Sequence, residues 1–218
     1  MKKDLTELVF ILDRSGSMGG LESDTIGGYN SMLEKQKKEP GEAIITTVLF
    51  DDKYELLHDR INLRGVAPIT DDEYFVRGST ALLDAIGTTV NKIAKVQKNT
   101  AEEERAEHVL FVITTDGMEN ASREFDYPRV AKMIEKQKKE HNWEFIFLGA
   151  NIDAIETAQR FGIGADRAVN YHADSEGTAL NYAVISETVS KLRAAEEISI
   201  DWKEKIEKDF KKRGGKKG

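Results

Sequence analysis

Short and almost uninterrupted apolar runs alternate with amphipathic segments along this chain. Four such runs cover residues 5–13, 43–50, 108–115 and 143–148. Runs of this length without polar alternation are typical of strands buried on both faces, as in a parallel sheet. The segments between them carry apolar residues at helical spacing. The pattern therefore predicts an α/β fold with a doubly wound, Rossmann-like and mostly parallel sheet that has helices on both faces.

Two further extended segments bring the predicted sheet to six strands. Residues 54–63 follow the second apolar run after a turn of three residues, and this spacing predicts a hairpin. Residues 167–171 predict a short last strand. Ligands of an open doubly wound sheet bind outside the carboxyl ends of its strands, so the predicted site lies at that edge.

Charge and composition restrict the function classes. The 218-residue chain has a net charge of −7, which argues against a nucleic-acid binder that relies on phosphate contacts. Residues 201–218 hold eight Lys or Arg and four Asp or Glu, a balance of +4, which leaves −11 for residues 1–200. We expect a single domain over residues 1–200 and a flexible basic tail over residues 201–218. With no cysteine and no run of roughly 18 apolar residues, we expect a cytoplasmic protein without a membrane span.

Three polar clusters lie on the carboxyl edge of the predicted sheet or on loops that can reach it. They cover residues 13–17, 78–80 and 114–117. Together they offer only hydroxyl and carboxylate oxygens, which suit Mg²⁺, Mn²⁺ or Ca²⁺, whereas zinc or copper prefers His or Cys. Each cluster alone also has a structural interpretation, because Ser and Thr cap helices and Asp-Gly is a common turn.

The order of these clusters resembles the von Willebrand factor type A (vWA) family, also called the integrin I-like fold. The metal ion-dependent adhesion site (MIDAS) of that family has the pattern Asp-x-Ser-x-Ser, then Thr, then Asp, matched here by Asp13, Ser15, Ser17, Thr80 and Asp116. The resemblance implies that the three hydroxyls bind the metal directly and that the two aspartates act through water. It also implies the strand order 3-2-1-4-5-6 with one antiparallel edge strand, which accounts for the hairpin.

The resemblance further implies a binding module that grips an Asp or Glu carboxylate of a protein partner at an open position of a Mg²⁺ ion, with Mn²⁺ or Ca²⁺ as other possible ions. Family context suggests a bacterial, intracellular type that acts beside an AAA ATPase or in stress and metal-resistance systems. We expect the rim of this site to include Arg14, Gly16, Ser79, Gly117 and Glu119.

Two other functions compete with a binding module. A metal-dependent hydrolase or phosphatase would use the same ion, but the sequence has no Asp-x-Asp nucleophile pair, no Gly-x-Ser-x-Gly elbow and no Walker loop. A purely structural domain with a vestigial site is disfavoured because all five motif positions are intact. We therefore expect a protein that is not an enzyme.

Overall fold

The computed structural model describes residues 1–215, which form one six-stranded sheet with helices on both faces. The strands are β1 Lys2–Asp13, β2 Glu42–Phe50, β3 Tyr54–Asn62, β4 Ala106–Thr115, β5 Glu144–Gly149 and β6 Ala168–Asn170. The helices are α1 Glu22–Gln36, α2 Leu82–Asn99, α3 Tyr127–His141, α4 Ala154–Arg160, α5 Ser175–Arg193 and α6 Glu204–Lys212. The strand order is β3-β2-β1-β4-β5-β6. Only β3 runs antiparallel within this sheet, at its edge, which confirms the predicted fold class.

The central strand β1 explains why the sequence shows continuous apolar runs. Phe10 and Leu12 point into one hydrophobic core, which α1, α5 and α6 cover. Val9 and Ile11 point into the other, which α2, α3 and α4 cover. Because successive side chains of a strand point to opposite faces, the part of β1 that lies between the two cores, residues 8–12, has no position for a polar side chain.

Aspartates cap the N-termini of α3 and α4. Asp126 accepts a hydrogen bond from the Arg129 N–H at the start of α3, and Asp153 accepts one from the Glu156 N–H at the start of α4. Each carboxylate satisfies a backbone donor that the helix itself leaves without a partner. These caps fix where the helices begin and therefore how long the loops at the carboxyl edge are.

The C-terminal segment differs from the predicted flexible tail. Helix α6 packs against α5 and β6, with Ile206 only 1% exposed. Just before it, the Trp202 indole N–H donates to the Asp166 carbonyl at 2.8 Å, and the Lys203 ammonium donates to the Ala168 carbonyl at 2.8 Å. Burial of these apolar side chains stabilises the segment despite its basic composition. Residues 216–218 of the predicted tail lie outside the described residues.

None of the helices within residues 1–215 combines the length and apolar character needed to cross a bilayer.

Candidate metal centre

Three loops meet at the carboxyl edge of the sheet. Strands β1 and β4 are parallel neighbours with Leu12 opposite Thr114, so their ends bring Asp13 and Asp116 to the same place. The loop before α2 joins them through a hydrogen bond from the Gly16 N–H to the Gly78 carbonyl at 3.2 Å. The parallel arrangement therefore places all three predicted clusters together.

The hydroxyl groups of three predicted ligands form one cluster. The Ser15 and Ser17 Oγ atoms are 3.1 Å apart, and the Thr80 hydroxyl donates to Ser15 Oγ at 3.0 Å. Gly117 closes this cluster, because a Cβ atom at that position would lie 3.0 Å from Ser17 Oγ and 3.2 Å from Thr80 Oγ1. Ser15 and Thr80 are buried, whereas Ser17 is exposed, so the cluster opens to solvent on one side.

The hydroxyls of Ser15, Ser17 and Thr80 do not cap α1 or α2, although Ser and Thr often cap helices. The residues that precede α1 and α2 are Leu21 and Ala81, and neither makes a side-chain cap. The α2 N-terminus is instead capped by the loop after β4, where Glu119 accepts from the Leu83 N–H at 2.9 Å.

Asp13 lies behind the hydroxyl cluster and is 1% exposed. Its carboxylate accepts hydrogen bonds from the Ser15 N–H at 2.6 Å and from the Thr115 hydroxyl. Burial raises the pKa of Asp13 to about 6, because desolvation of the carboxylate outweighs these hydrogen bonds. The sequence prediction did not assign a role to Thr115, whose hydroxyl orients this carboxylate.

Asp116 is also buried, at 2% exposure, and neither of its carboxylate oxygens has a hydrogen-bond partner. Burial raises the pKa of Asp116 as well, and the nearby Ser17 hydroxyl offsets part of this rise. Within residues 1–215, no Lys or Arg forms a salt bridge with Asp13 or Asp116. Two acidic side chains are therefore buried together with no protein cation beside them.

This donor set fits a hard divalent cation. It consists of three hydroxyls and two carboxylates, all oxygen donors, and the two unpartnered oxygens of Asp116 are free to accept from metal-bound water. In the described part of the chain, no three His, Cys, Asp or Glu side chains cluster as metal ligands, so the hydroxyls supply most of the donors at this edge. The hydroxyls of Ser15, Ser17 and Thr80 would hold the ion.

Arg14 does not belong to the rim where the sequence prediction placed it. Its side chain is fully buried and points away from the hydroxyls. It donates to Asp51 at 3.1 Å, to Glu55 at 2.6 Å and to the Glu73 carbonyl at 3.1 Å. The physical reason is the alternation of an extended loop, which sends Ser15 towards the site and Arg14 to the opposite side. The guanidinium also lies 5.2 Å from the ring centre of Phe75, whose side chain remains 41% exposed.

The other predicted rim residues divide into two groups. Gly16 and Ser79 are exposed beside the hydroxyl cluster, as a rim requires. Glu119 uses its carboxylate within the protein, since it caps α2 and also accepts from the Ser122 hydroxyl at 2.7 Å. Next to it, Asn120 Oδ1 accepts from the Thr80 N–H at 2.9 Å, a contact that the sequence prediction missed.

The sheet order, the single antiparallel edge strand and the helices on both faces define the vWA fold. No protein-family profile matches the sequence, and no curated protein matches it. The likeness is seen in three dimensions, with solved structures such as the three described next.

Three solved structures illustrate the likeness. A von Willebrand factor type A protein from Catenulispora acidiphila has a TM-score of 0.57 and 13% identity, over 85% of this chain and 42% of its own. Proximal thread matrix protein 1 from the mussel byssus, whose MIDAS motif holds zinc in that structure, has a TM-score of 0.53 and 15% identity, over 86% of this chain and 45% of its own. Manganese-loaded TRAP protein from Plasmodium vivax has a TM-score of 0.51 and 18% identity, over 68% of this chain and 58% of its own. The chain thus spans about half the length of these solved chains, and at such identities the likeness establishes the fold alone.

Proposed function

We propose that this protein is a divalent-cation-dependent protein-binding module whose metal site is a MIDAS. The observation that carries the proposal is the pair of buried carboxylates, Asp13 and Asp116, which share the carboxyl edge of the sheet with three hydroxyls and have no protein cation. Burying charge without a partner is costly, so a bound cation is the simplest source of compensation.

The arrangement favours binding of an acidic side chain from a partner. Neutral hydroxyls leave most of the charge of a bound ion uncancelled towards solvent, and this is the charge that an incoming Asp or Glu would meet. Carboxylates in direct contact with the ion would neutralise it and weaken that attraction. Asp13, held by the Ser15 N–H and the Thr115 hydroxyl, is oriented from behind the cluster.

A hydrolase that uses the same ion would need a general base, and within the described residues no histidine contacts the hydroxyls of Ser15, Ser17 or Thr80. The Ser15 and Ser17 hydroxyls contact each other, and Ser15 Oγ also accepts a hydrogen bond from the Thr80 hydroxyl. His58 contacts Thr47, and His172 contacts the Phe210 carbonyl, so both imidazoles are engaged elsewhere. These contacts support a binding module and not an enzyme.

The remaining expectations follow from the same proposal. The ion is Mg²⁺ in a cytoplasmic setting, with Mn²⁺ and Ca²⁺ as substitutes. The partner is a protein that presents an Asp or Glu, and its assignment to an AAA ATPase system stays a prediction from the resemblance.

Thermal unfolding with and without metal tests the site. An ion that binds only the folded state at 100 times its Kd stabilises by about 2.7 kcal/mol, or about 5–10 °C in Tm for a chain of this size. We expect this shift for the wild type and none for Asp13→Ala. The matched control is Glu42→Ala, which removes an exposed carboxylate at the start of β2, on the opposite edge of the sheet, and keeps the shift. Identical melts of the wild type in EDTA and in millimolar Mg²⁺, Mn²⁺ or Ca²⁺ would contradict the metal site.

A pull-down from cell extract in Mg²⁺ or in EDTA tests the binding role. Partners should be retained only by the wild type and only in Mg²⁺. Equal retention by Asp13→Ala would mean that the site does not mediate binding. Turnover of a generic phosphate ester that Asp13→Ala abolishes would favour the hydrolase instead.

A further inference from the structure

The carboxylate of Asp51 joins two of the three metal-binding loops from behind. Asp51 follows β2 and is fully buried. Its Oδ2 atom accepts from Arg14 Nε at 3.1 Å and from Arg77 Nε at 2.7 Å. Arg14 lies between Asp13 and Ser15 in sequence, and Arg77 lies on the loop that leads to Thr80. One carboxylate therefore contacts both segments that carry the hydroxyl ligands.

Backbone contacts at the same place tighten this connection. The Arg14 N–H donates to the Phe50 carbonyl at 2.8 Å, and the Ala81 N–H donates to the Asp51 carbonyl at 2.8 Å. The Arg77 N–H donates to the Arg14 carbonyl at 2.9 Å, so the two loops run side by side. The end of β2 thus serves as a fixed base for residues next to Ser15 and next to Thr80.

Gly78 shows how closely these segments fit. It has a φ of +66°, a backbone conformation that favours glycine, and a Cβ at this position would collide with the Asp52 carboxylate. The same Cβ would lie 3.5 Å from Asp51 Cβ. The loop before α2 is therefore pressed against the residues that follow β2.

The charges of this cluster also remain within it. Burial would raise the pKa of Asp51, but hydrogen bonds from Arg77 and the Lys53 N–H, with the Arg14 charge, hold it below its ordinary value. Arg14 also forms a salt bridge with Glu55. The guanidiniums of Arg14 and Arg77 lie 5.2 and 5.1 Å from the ring centre of Phe75. Because the charges are matched internally, the cluster holds the loops together and has no free charge to offer an ion.

We propose that Asp51 is a positioning residue of the metal site, which sets the distance between the loop of Ser15 and Ser17 and the loop of Thr80 without touching the ion. This inference rests on the proposed metal-binding function. Hydroxyls are weak individual ligands, so their affinity for an ion depends on being held together before it arrives. Asp51 makes three of the contacts that hold these loops together. Its carboxylate accepts from Arg14 and Arg77, and its backbone carbonyl accepts from the Ala81 N–H.

The test compares Asp51→Asn with Glu7→Gln. Glu7 is an equally buried carboxylate, paired with Arg60 at 2.7 Å within the middle of β1, away from the carboxyl edge. Each substitution removes the charge of a buried acid that is paired with arginine. The Mn²⁺ affinity of each variant is measured by the electron paramagnetic resonance signal of free Mn²⁺, and folding is checked by circular dichroism and thermal unfolding.

We expect Asp51→Asn to weaken Mn²⁺ binding about 10- to 100-fold, the usual effect of losing a residue that orients metal ligands, and Glu7→Gln to leave it unchanged despite a lower Tm. Equal Mn²⁺ affinity of Asp51→Asn and wild type would overturn the inference, as would equal weakening in both variants. If Asp51→Asn does not fold, Arg77→Gln, which removes one half-exposed partner, is measured instead and should weaken binding to a smaller degree; an unchanged affinity again overturns the inference. Absence of Mn²⁺ binding by the wild type would instead refute the proposed function itself.

Discussion

The described residues bury four carboxylates, and these fall into two contrasting pairs. Glu7 and Asp51 each contact arginine, at 2.7 Å from Arg60 and at 2.7 and 3.1 Å from Arg77 and Arg14. Asp13 and Asp116 are about as deeply buried but contact no arginine. Asp13 accepts hydrogen bonds only from a backbone N–H and a hydroxyl, and the Asp116 carboxylate has no hydrogen-bond partner. Burial raises the pKa of both members of this second pair.

The proposed metal site accounts for the difference: the first pair holds the fold together, and the second pair would be compensated by the ion. An acid paired with arginine is compensated within the chain, so the folded state is complete at that point. An acid buried without a cation lowers the stability of the folded protein, and a sequence keeps it when function requires it. Both members of the second pair lie at the one edge where the fold places ligands.

The largest effect should follow from removing the arginine that contacts an acid of the first pair. Arg60→Met leaves the Glu7 carboxylate buried with Gln97 as its remaining side-chain partner. We expect a loss of about 3–5 kcal/mol in unfolding free energy by urea denaturation, because the charge becomes uncompensated. The Mg²⁺-induced rise in Tm should be kept. A loss below about 1 kcal/mol would mean that the contact between Arg60 and Glu7 does not stabilise the fold as we describe.

Neutralising an acid of the second pair should raise the unfolding free energy and not lower it. In the absence of metal at pH 7, Asp13→Asn should raise the unfolding free energy by about 3 kcal/mol. This value corresponds to a pKa of about 6 in place of 3.8, at 1.36 kcal/mol for each unit. The asparagine can still accept from the Ser15 N–H. The same variant should lose the response to Mg²⁺, and a destabilised Asp13→Asn in EDTA would erase the contrast between the pairs.

The pH dependence of that gain provides a finer test. Because the pKa of Asp13 is higher in the folded than in the unfolded protein, the folded state binds more protons between about pH 4 and 6. The stability contributed by this group is therefore present below about pH 4 and is lost as the pH rises to about 6. Unfolding free energies of wild type and Asp13→Asn in EDTA should agree at pH 4 and diverge steadily up to pH 6. A constant difference over this range would assign the effect to something other than ionisation.

The smallest effect should come from an exposed pair. Lys2 and Glu42 are 2.7 Å apart, with about half of each side chain exposed, 45% and 55%. Solvent and salt screen such pairs, so Lys2→Met should leave the urea midpoint unchanged within error. A clear shift would show that location in the sheet, and not burial, determines what a carboxylate contributes.

Local patterns in the sequence predicted the fold, whereas the grouping of Thr80 with Ser15 and Ser17 rested on the resemblance to the vWA family. The part of a strand that lies between two hydrophobic cores is apolar without interruption, and the Asp-x-Ser-x-Ser spacing places its donors within five residues. The contacts of Arg14 could not be foreseen, since its partner Asp51 lies 37 residues away and nothing in the spacing joins them. The same holds for Glu119, which caps α2 by accepting from the N–H of Leu83, 36 residues earlier in the sequence.

Helix α6 is a different case, because a usable signal was present. Trp202, Ile206 and Phe210 repeat every four residues and would share one face of a helix. The many lysines around them made the segment look like a solvated end. Apolar spacing was the better guide to burial there than net charge.

The hydroxyl cluster also has a consequence for the kinetics of unfolding. Ser15 and Thr80 are 65 residues apart in sequence, and Asp13 and Thr115 are 102 residues apart. An ion held between these loops would act as a reversible cross-link across nearly half the chain, which must be released before this edge can open. Resistance to proteolysis should then rise and fall with divalent ion concentration, and the unfolding rate should slow even where the equilibrium gain is modest.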